Sequence, residues 1–440
     1  MEQAGARVLV MLPGPAMIVS ADEKIADSDD PFFLLADPVS KSDAAKITKQ
    51  CAKVSSAIRT WNRVKTPASD ILLRAGKPPA SARPLGGDAF KSKLPAKALT
   101  GPMQGTVGVM MMTPESNGTI DANLENWTDD AWNRVFDEVA AGLAWWAQHA
   151  ADHGIDLTFD FDALPRTDAA LQVGYEPILH GYLTECQWIG AIMDNLGVSG
   201  FTCYDQVENY NDARRAEKGT HSFATVFVVN SINDEDGAFS DGYSAYAYFG
   251  GPFLMLTYDN GGWTIDWMRN VMSHEFGHTF WACDEYYQPG YFECDCTCPD
   301  NPWYTANPNC EHGCAEDGPC LMKDLTGDTC EHTREQIGWS QPAPTTTTST
   351  TVPATTTTTT STEAPPEDDD DAGNDDDGET PPPPRTGATT AARRNPKARA
   401  KVPPAGADKP SACAPRALST PCRPVFGVVH EDRLSPDFSG

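Results

Sequence analysis

No run of 18 apolar residues occurs in this 440-residue chain, so a membrane-spanning helix is not expected. Positive charge is scarce. Lys and Arg number 33 against 62 Asp and Glu, and the formal charge of -29 argues against nucleic acid or an anionic membrane as partner. Apolar residues are nearly missing from 342–384, where PAPTTTTSTTVPATTTTTTST is followed by EAPPEDDDDAGNDDDGETPPPP. Such a stretch cannot bury enough surface to fold, and reads as a disordered Thr/Pro and Asp-rich linker. Its aspartates would gather Ca2+ only loosely, and nothing else supports calcium; a solvated spacer is the stronger reading. Periodicity is also lacking in residues 22–102, which read as a poorly ordered leader or pro-segment with one short helix at 44–61. Cys51 there, in KQCAKV, reads as an incidental thiol. Residues 385–440 carry ten Lys and Arg against four Asp and Glu and read as a basic, disordered tail, with Cys413 and Cys422 as its one candidate staple.

Cysteine, by contrast, is abundant. Eight of the 13 (Cys283, Cys294, Cys296, Cys298, Cys310, Cys314, Cys320 and Cys330) fall within 48 residues, a density expected of disulfide-stapled loops in an oxidising compartment. No CxxC pair occurs among them. A second zinc site built from Cys294, Cys296, Cys298, Cys310, His312 and Cys314 is therefore the weaker alternative to disulfides. At the other end, Arg7 followed by VLVMLPGPAMIV and Val19-Ser20-Ala21 has the order of a secretory signal over residues 1–21, while Glu2 and two internal prolines speak against one.

One stretch dictates a chemistry: 264–285, TIDWMRNVMSHEFGHTFWACDE. On a helix, His274 and His278 project from one face about a turn apart, close enough to share one metal ion. Glu275 lies between them, where a carboxylate can reach a metal-activated water without entering the coordination shell. Without a metal, this helix would bury a glutamate and two histidines at considerable cost. Gly277 is unusual in mid-helix, costs about 1 kcal/mol against Ala, and implies close approach of another backbone.

Upstream, 106–112 reads as a strand, Thr128 as the cap of a helix carrying Trp132, Val135, Phe136, Val139, Leu143 and Trp146, and 155–161 as an alternating strand. That order is a crossover unit and implies parallel pairing. A helix is expected at 182–196, a strand buried on both faces at 223–229, and two strands around Gly250-Gly251-Pro252 at 243–249 and 253–258. One of the last two is a candidate edge for pairing with an extended peptide. Cys186 and Cys203 are a candidate pair. The expected class is α/β (α+β), a mixed twisted sheet with helices.

Taken with Asp284-Glu285-Tyr286 and Cys320-Leu321-Met322, residues 105–341 resemble the metzincin clan of secreted zinc endopeptidases, whose helix motif is HExxHxxGxxH with Asp as the last ligand in some members. The resemblance implies a metzincin-like zinc peptidase domain at 103–341 with a Cys-rich insertion at 283–330. It implies one catalytic Zn2+ held by His274, His278 and Asp284, Glu275 as general base, and Met322 in the methionine turn beneath the metal. A protein or peptide substrate and a secreted or cell-surface location follow from it. Trp281 stands where the clan has a glycine. Glu285, with its longer reach, competes with Asp284 for the third position. The alternative function is a non-catalytic zinc-containing surface binding protein on a Thr/Pro stalk.

Overall fold

The computed structural model describes residues 100–287, 294–325 and 327–340, together with 7–13, 16–20, short stretches at 33–35, 40–42 and 45, and 425–429. The linker at 342–384, most of the leader with its expected helix at 44–61, Cys51, and the Cys413–Cys422 staple lie outside these residues.

The strands in chain order are β1 (Arg7–Leu12), β2 (Ala16–Ser20), β3 (Phe33–Leu35), β4 (Gly105–Met112), β5 (Glu115–Ser116), β6 (Leu157–Ala163), β7 (Gln172–Val173), β8 (Ser222–Val229), β9 (Ala245–Ala247), β10 (Phe253–Thr257) and β11 (Val425–Val429). The helices are α1 (Asp129–Asp152), α2 (Cys186–Asn195), α3 (Cys203–Lys218), α4 (Met268–His278), α5 (Leu321–Asp324) and α6 (Glu331–Gln336). One mixed sheet runs in the order β3-β11-β2-β1-β6-β4-β8-β10-β9. Its centre, β1-β6-β4-β8-β10, is parallel throughout, and the pairs β1/β2 and β9/β10 are antiparallel.

The strand period of two sorts side chains onto the two faces. Val107, Val109 and Met111 of β4 join Val226, Val228, Leu254 and Leu256 against α1 and α4, whereas Met110, Met112, Phe227 and Met255 pack with α2 and α3 on the other side. Helices thus cover both faces, and β8 is buried along its whole length, as its unbroken apolar run implies.

α1 begins where the sequence says it should. The Thr128 hydroxyl accepts the Ala131 N–H and Asp129 and Asp130 occupy the first turn, which together satisfy an orphan donor and suit the helix dipole. It crosses α4 at Gly142, where an added methyl would lie 2.7 Å from Met272 Sδ and 3.2 Å from the Arg269 carbonyl. Trp146 Nε1 donates to the Ser273 carbonyl at 2.9 Å and locks the same crossing.

The helix expected from residue 182 starts at Cys186, after a turn, and α3 was not anticipated at all. The apolar segment with the order of a signal peptide forms the β1/β2 hairpin here, with Leu9 and Val10 wholly buried in the core. β9 ends the sheet, and Ala245, Tyr246 and Ala247 are all buried. Val425–Val429, in the tail, forms the backbone of a strand parallel to β2 and β3.

Candidate metal centre

α4 enters from β10 through two short 3-10 turns and ends at His278. Its exit decides the site. On a continued helix the next carboxylates would lie too far along the axis to meet the histidines. Instead the chain reverses at Trp281, which has φ 76°. Ala282 N–H bonds back to the Gly277 carbonyl at 3.1 Å and Trp281 N–H to the His278 carbonyl at 3.0 Å, the paired bonds of a Schellman ending. Glycine is the usual occupant of this left-handed position, and another residue costs roughly 1–2 kcal/mol. Here the indole supplies compensation. It stands edge-on to Phe249 with centroids 5.3 Å apart, closes over Gly250, and donates from Nε1 to the Thr100 carbonyl at 2.9 Å. Gly250 N–H in turn bonds the His278 carbonyl at 2.9 Å, tying the β9/β10 turn to the end of α4.

The reversal brings Asp284 back to the histidines. Its Oδ1 lies 2.9 Å from His274 Nε2 and 3.3 Å from His278 Nε2, and the two Nε2 atoms are 3.2 Å apart. Atoms about 2.0–2.1 Å from one ion at tetrahedral angles stand about 3.3 Å from each other, so the trio surrounds a position one ion can take. The outer nitrogens bear on whether a cation could sit there. His274 Nδ1 faces the Leu321 carbonyl at 3.0 Å and His278 Nδ1 faces the Ala282 carbonyl at 2.6 Å. A carbonyl only accepts, so each ring holds its proton on Nδ1 and a neutral ring turns an Nε2 lone pair inward. Two lone pairs and a carboxylate then meet without a donor among them.

Burial sharpens this. His274 and His278 are 1% and 2% exposed, and Asp284 and Glu275 are fully buried. Among the described residues, neither carboxylate oxygen of Glu275 has a hydrogen-bond partner. Burial drives the Glu275 carboxyl well above the ordinary carboxylate range, His278 opposes that rise, and Asp284 adds to it. For Asp284 burial pushes the same way, and the opposing pull of His278 and His274, which holds the group below its usual value when those rings carry the extra proton, is the pull a bound cation would supply with the rings neutral. The donor set, two imidazoles and one carboxylate at tetrahedral spacing with a fourth position left open, could hold a divalent metal ion such as zinc.

Glu285 goes elsewhere. Its carboxylate accepts from Thr333 Oγ1 at 2.9 Å, Asn309 Nδ2 at 2.5 Å and Cys330 Sγ at 2.8 Å, away from the histidine pair. Tyr286 stands near His274, with ring centroids 6.1 Å apart. Met322 lies under the helix: its carbonyl accepts the Glu285 N–H at 2.9 Å, and its side chain meets Gly277. The close approach expected at Gly277 is therefore made by side chains, Met322 Sδ at 3.1 Å and Ala282 Cβ at 3.4 Å from an added methyl, and not by a second backbone.

The Cys-rich insertion frames this loop. Disulfides join Cys283–Cys298, Cys294–Cys310 and Cys296–Cys314, so the second zinc site drawn from those cysteines is replaced by staples. Its remaining member, His312, stacks on Tyr287 instead. Cys186–Cys203 is also paired, while Cys320 and Cys330 are free thiols. A hollow of about 380 Å³ opens on the insertion between Cys310 and Asp317, and none of its lining residues belongs to the metal group.

Four supporting residues were not anticipated. Asn307 Nδ2 donates to the Asp284 carbonyl at 2.8 Å, and Asn301 Nδ2 to the carbonyls of Trp281 and Gln336 at 3.0 and 2.8 Å. Asn309 holds Glu285, and Gln336 Oε1 accepts the Cys283 N–H at 2.9 Å. The three asparagines are buried, which an irregular loop requires if its backbone polar groups are to be paired. Their signal in the sequence was the run CPDNPWYTANPNC, read for its cysteines alone. The chain matches no protein-family model and no curated protein, so the functional reading rests on the geometry of this centre.

Proposed function

We propose that the chain is a secreted zinc-dependent endopeptidase of the metzincin type, with His274, His278 and Asp284 as the zinc ligands and Glu275 as general base. The observation that carries the reading is the meeting of two imidazole lone pairs and one carboxylate within 3.3 Å of each other, beside a buried carboxyl group that has no partner. Zinc bound there would supply Lewis acidity and bring the pKa of a water to about 7.

The remaining work falls to this chain's own side chains. Leu321 and Ala282 carbonyls hold the two imidazoles in one tautomer and one orientation, so that the ligand atoms do not have to be organised when the metal arrives. Glu275, adjacent to the first ligand, takes the proton of the attacking water and passes it to the leaving amine; burial raises its affinity for that proton. Met322 and the Schellman turn fix the floor of the site.

A non-catalytic surface protein on a Thr/Pro stalk would need the three ligands as much as an enzyme does. It would not need Glu275. A buried carboxylate without a partner lowers stability, and its retention beside the metal group favours catalysis.

The test is Glu275→Gln in the full chain, assayed for bound zinc and for casein or gelatin digestion with and without chelator. Zinc content should be unchanged and proteolysis should fall by roughly 10²- to 10⁴-fold. Undiminished, chelator-insensitive digestion would sink the mechanism, and loss of zinc together with activity would make Glu275 a ligand instead.

A further inference from the structure

A second group of metal-binding side chains lies at the far end of α1. His149 lies in the last turn of that helix and His153, four residues on, is its C-cap, and Asp328 reaches them from the loop joining α5 to α6. The ligand atoms of the three lie within 4.8 Å of one another. His149 Nε2 is 3.7 Å from Asp328 Oδ1, and the two imidazole rings stand nearly perpendicular with centroids 4.8 Å apart.

We infer that His149, His153 and Asp328 form a second binding site for a borderline divalent cation such as zinc. Two imidazoles and one carboxylate are the donors that suit zinc, copper or nickel over calcium or magnesium. Helical spacing places both rings on one face, the same reason that His274 and His278 can share an ion.

The surroundings make the two histidines unequal in a useful way. His149 is 8% exposed, stacked on Trp145 at 5.0 Å and bordered by Trp146 and Trp339. Thr329 Oγ1 lies 2.7 Å from its Nε2, a contact that a bound cation would displace. Burial, helped by the nearby charges of His153 and Arg334, brings its pKa down to about 3, so it is neutral and able to act as a ligand over the physiological range. His153 and Asp328 are exposed, so their side chains are the ones that would have to close on an ion from the present separations of up to 4.8 Å. Arg334 opposes a cation here, while Asp328 and Asp152 both favour positive charge at His153. The site is therefore a weaker one than the buried group around Asp284.

Its consequence is mechanical. An ion at this point joins the C-terminal end of α1 to the loop that follows Leu321–Asp324, the element carrying the Leu321 carbonyl and Met322.

The experiment is a zinc titration by calorimetry of the chelator-stripped full chain and of three variants, His153→Ala, Asp328→Asn and His278→Ala. Two ions per chain are expected, one tight and one weaker. His153→Ala should remove the weaker, and Asp328→Asn should weaken it by more than the roughly 10- to 100-fold that loss of a supporting residue costs. Neither change should alter the tight site, since both side chains are exposed and outside it. His278→Ala should remove the tight ion and spare the weaker. A single ion that is lost in His278→Ala and unaffected by His153→Ala and Asp328→Asn overturns the inference. A single ion lost in His153→Ala and kept in His278→Ala would uphold this site and overturn the zinc assignment at the other.

Discussion

Gly277 and Met322 touch: a methyl group added to the glycine would lie 3.1 Å from the methionine sulfur, tighter than ordinary contact. The mid-helix glycine is thus explained by a residue 45 positions later in the chain, one that comes under the helix because Leu321 holds His274 from the same turn. Two opposed effects follow for Gly277→Ala. Helix propensity gains about 1 kcal/mol, and crowding against Met322 costs about 1–3 kcal/mol. In a Met322→Ala background the crowding is relieved. Urea denaturation of the two single variants and the double variant should give a coupling of about 1 kcal/mol or more in that sense. Additive effects would mean that the two residues are not in contact in solution.

A second expectation concerns pH. Glu185, just before α2, accepts hydrogen bonds from the hydroxyls of Tyr246 and Tyr248, yet burial outweighs both and raises its carboxyl to about 7. The folded state therefore holds this proton more tightly than the unfolded chain does. Its contribution is fully present below about pH 4.5 and is lost as pH rises through 7, on the order of 3 kcal/mol at about 1.4 kcal/mol per pH unit. Glu185→Gln cannot ionise, so the variant should lose less stability than the wild type between pH 5 and 8. Parallel denaturation curves across that range would show that Glu185 ionises normally in the fold.

The cysteines separate into two classes. Alkylation of the denatured, unreduced chain followed by peptide mapping should label Cys320 and Cys330 and leave Cys283, Cys294, Cys296, Cys298, Cys310 and Cys314 unlabelled. Reduction should inactivate the domain, because closing loops of this size contributes typically about 2–4 kcal/mol each. Labelling of the 294–298 cysteines before reduction would remove the staples and reopen the question of what organises the Asp284 loop.

What could be read beforehand was whatever obeys a local period. The β4-α1-β6 order, the Thr128 cap and β8 follow from periods of 2 and 3.6 together with one capping residue. α3 escaped because it is mostly polar, with Cys203, Val207 and Tyr210 among its few core side chains. The capping box of Thr202 and Asp205 and the left-handed Gly219 marked both ends and were overlooked. Trp281 was not readable, since a left-handed tryptophan is tolerable only where something accepts its ring. Gly250, 31 residues earlier, does so. The buried asparagines of the insertion were hidden for the same reason: their partners, backbone carbonyls and the Glu285 carboxylate, are distant in sequence and meet only in the fold.

The last prediction concerns Asp284 and Glu285, adjacent carboxylates with opposite surroundings. Asp284 meets two inward imidazole nitrogens, and Glu285 meets a hydroxyl, an amide and a thiol that already satisfy it. Removing Asp284 deletes one of three proposed ligands, so Asp284→Ala should lose zinc affinity by far more than the roughly 10- to 100-fold expected of a supporting residue, and lose activity with it. Removing Glu285 leaves the ligands in place. Glu285→Ala should weaken zinc by no more than that range, but should destabilise the fold by about 1–3 kcal/mol, because Asn309 and Thr333 are left buried without their acceptor. Zinc affinity and denaturation midpoints of the two variants decide the matter together. Asp284→Ala with its zinc and activity intact, or Glu285→Ala with zinc lost and stability unchanged, would exchange the roles of the two residues and leave only a likeness of spacing to the metzincin motif.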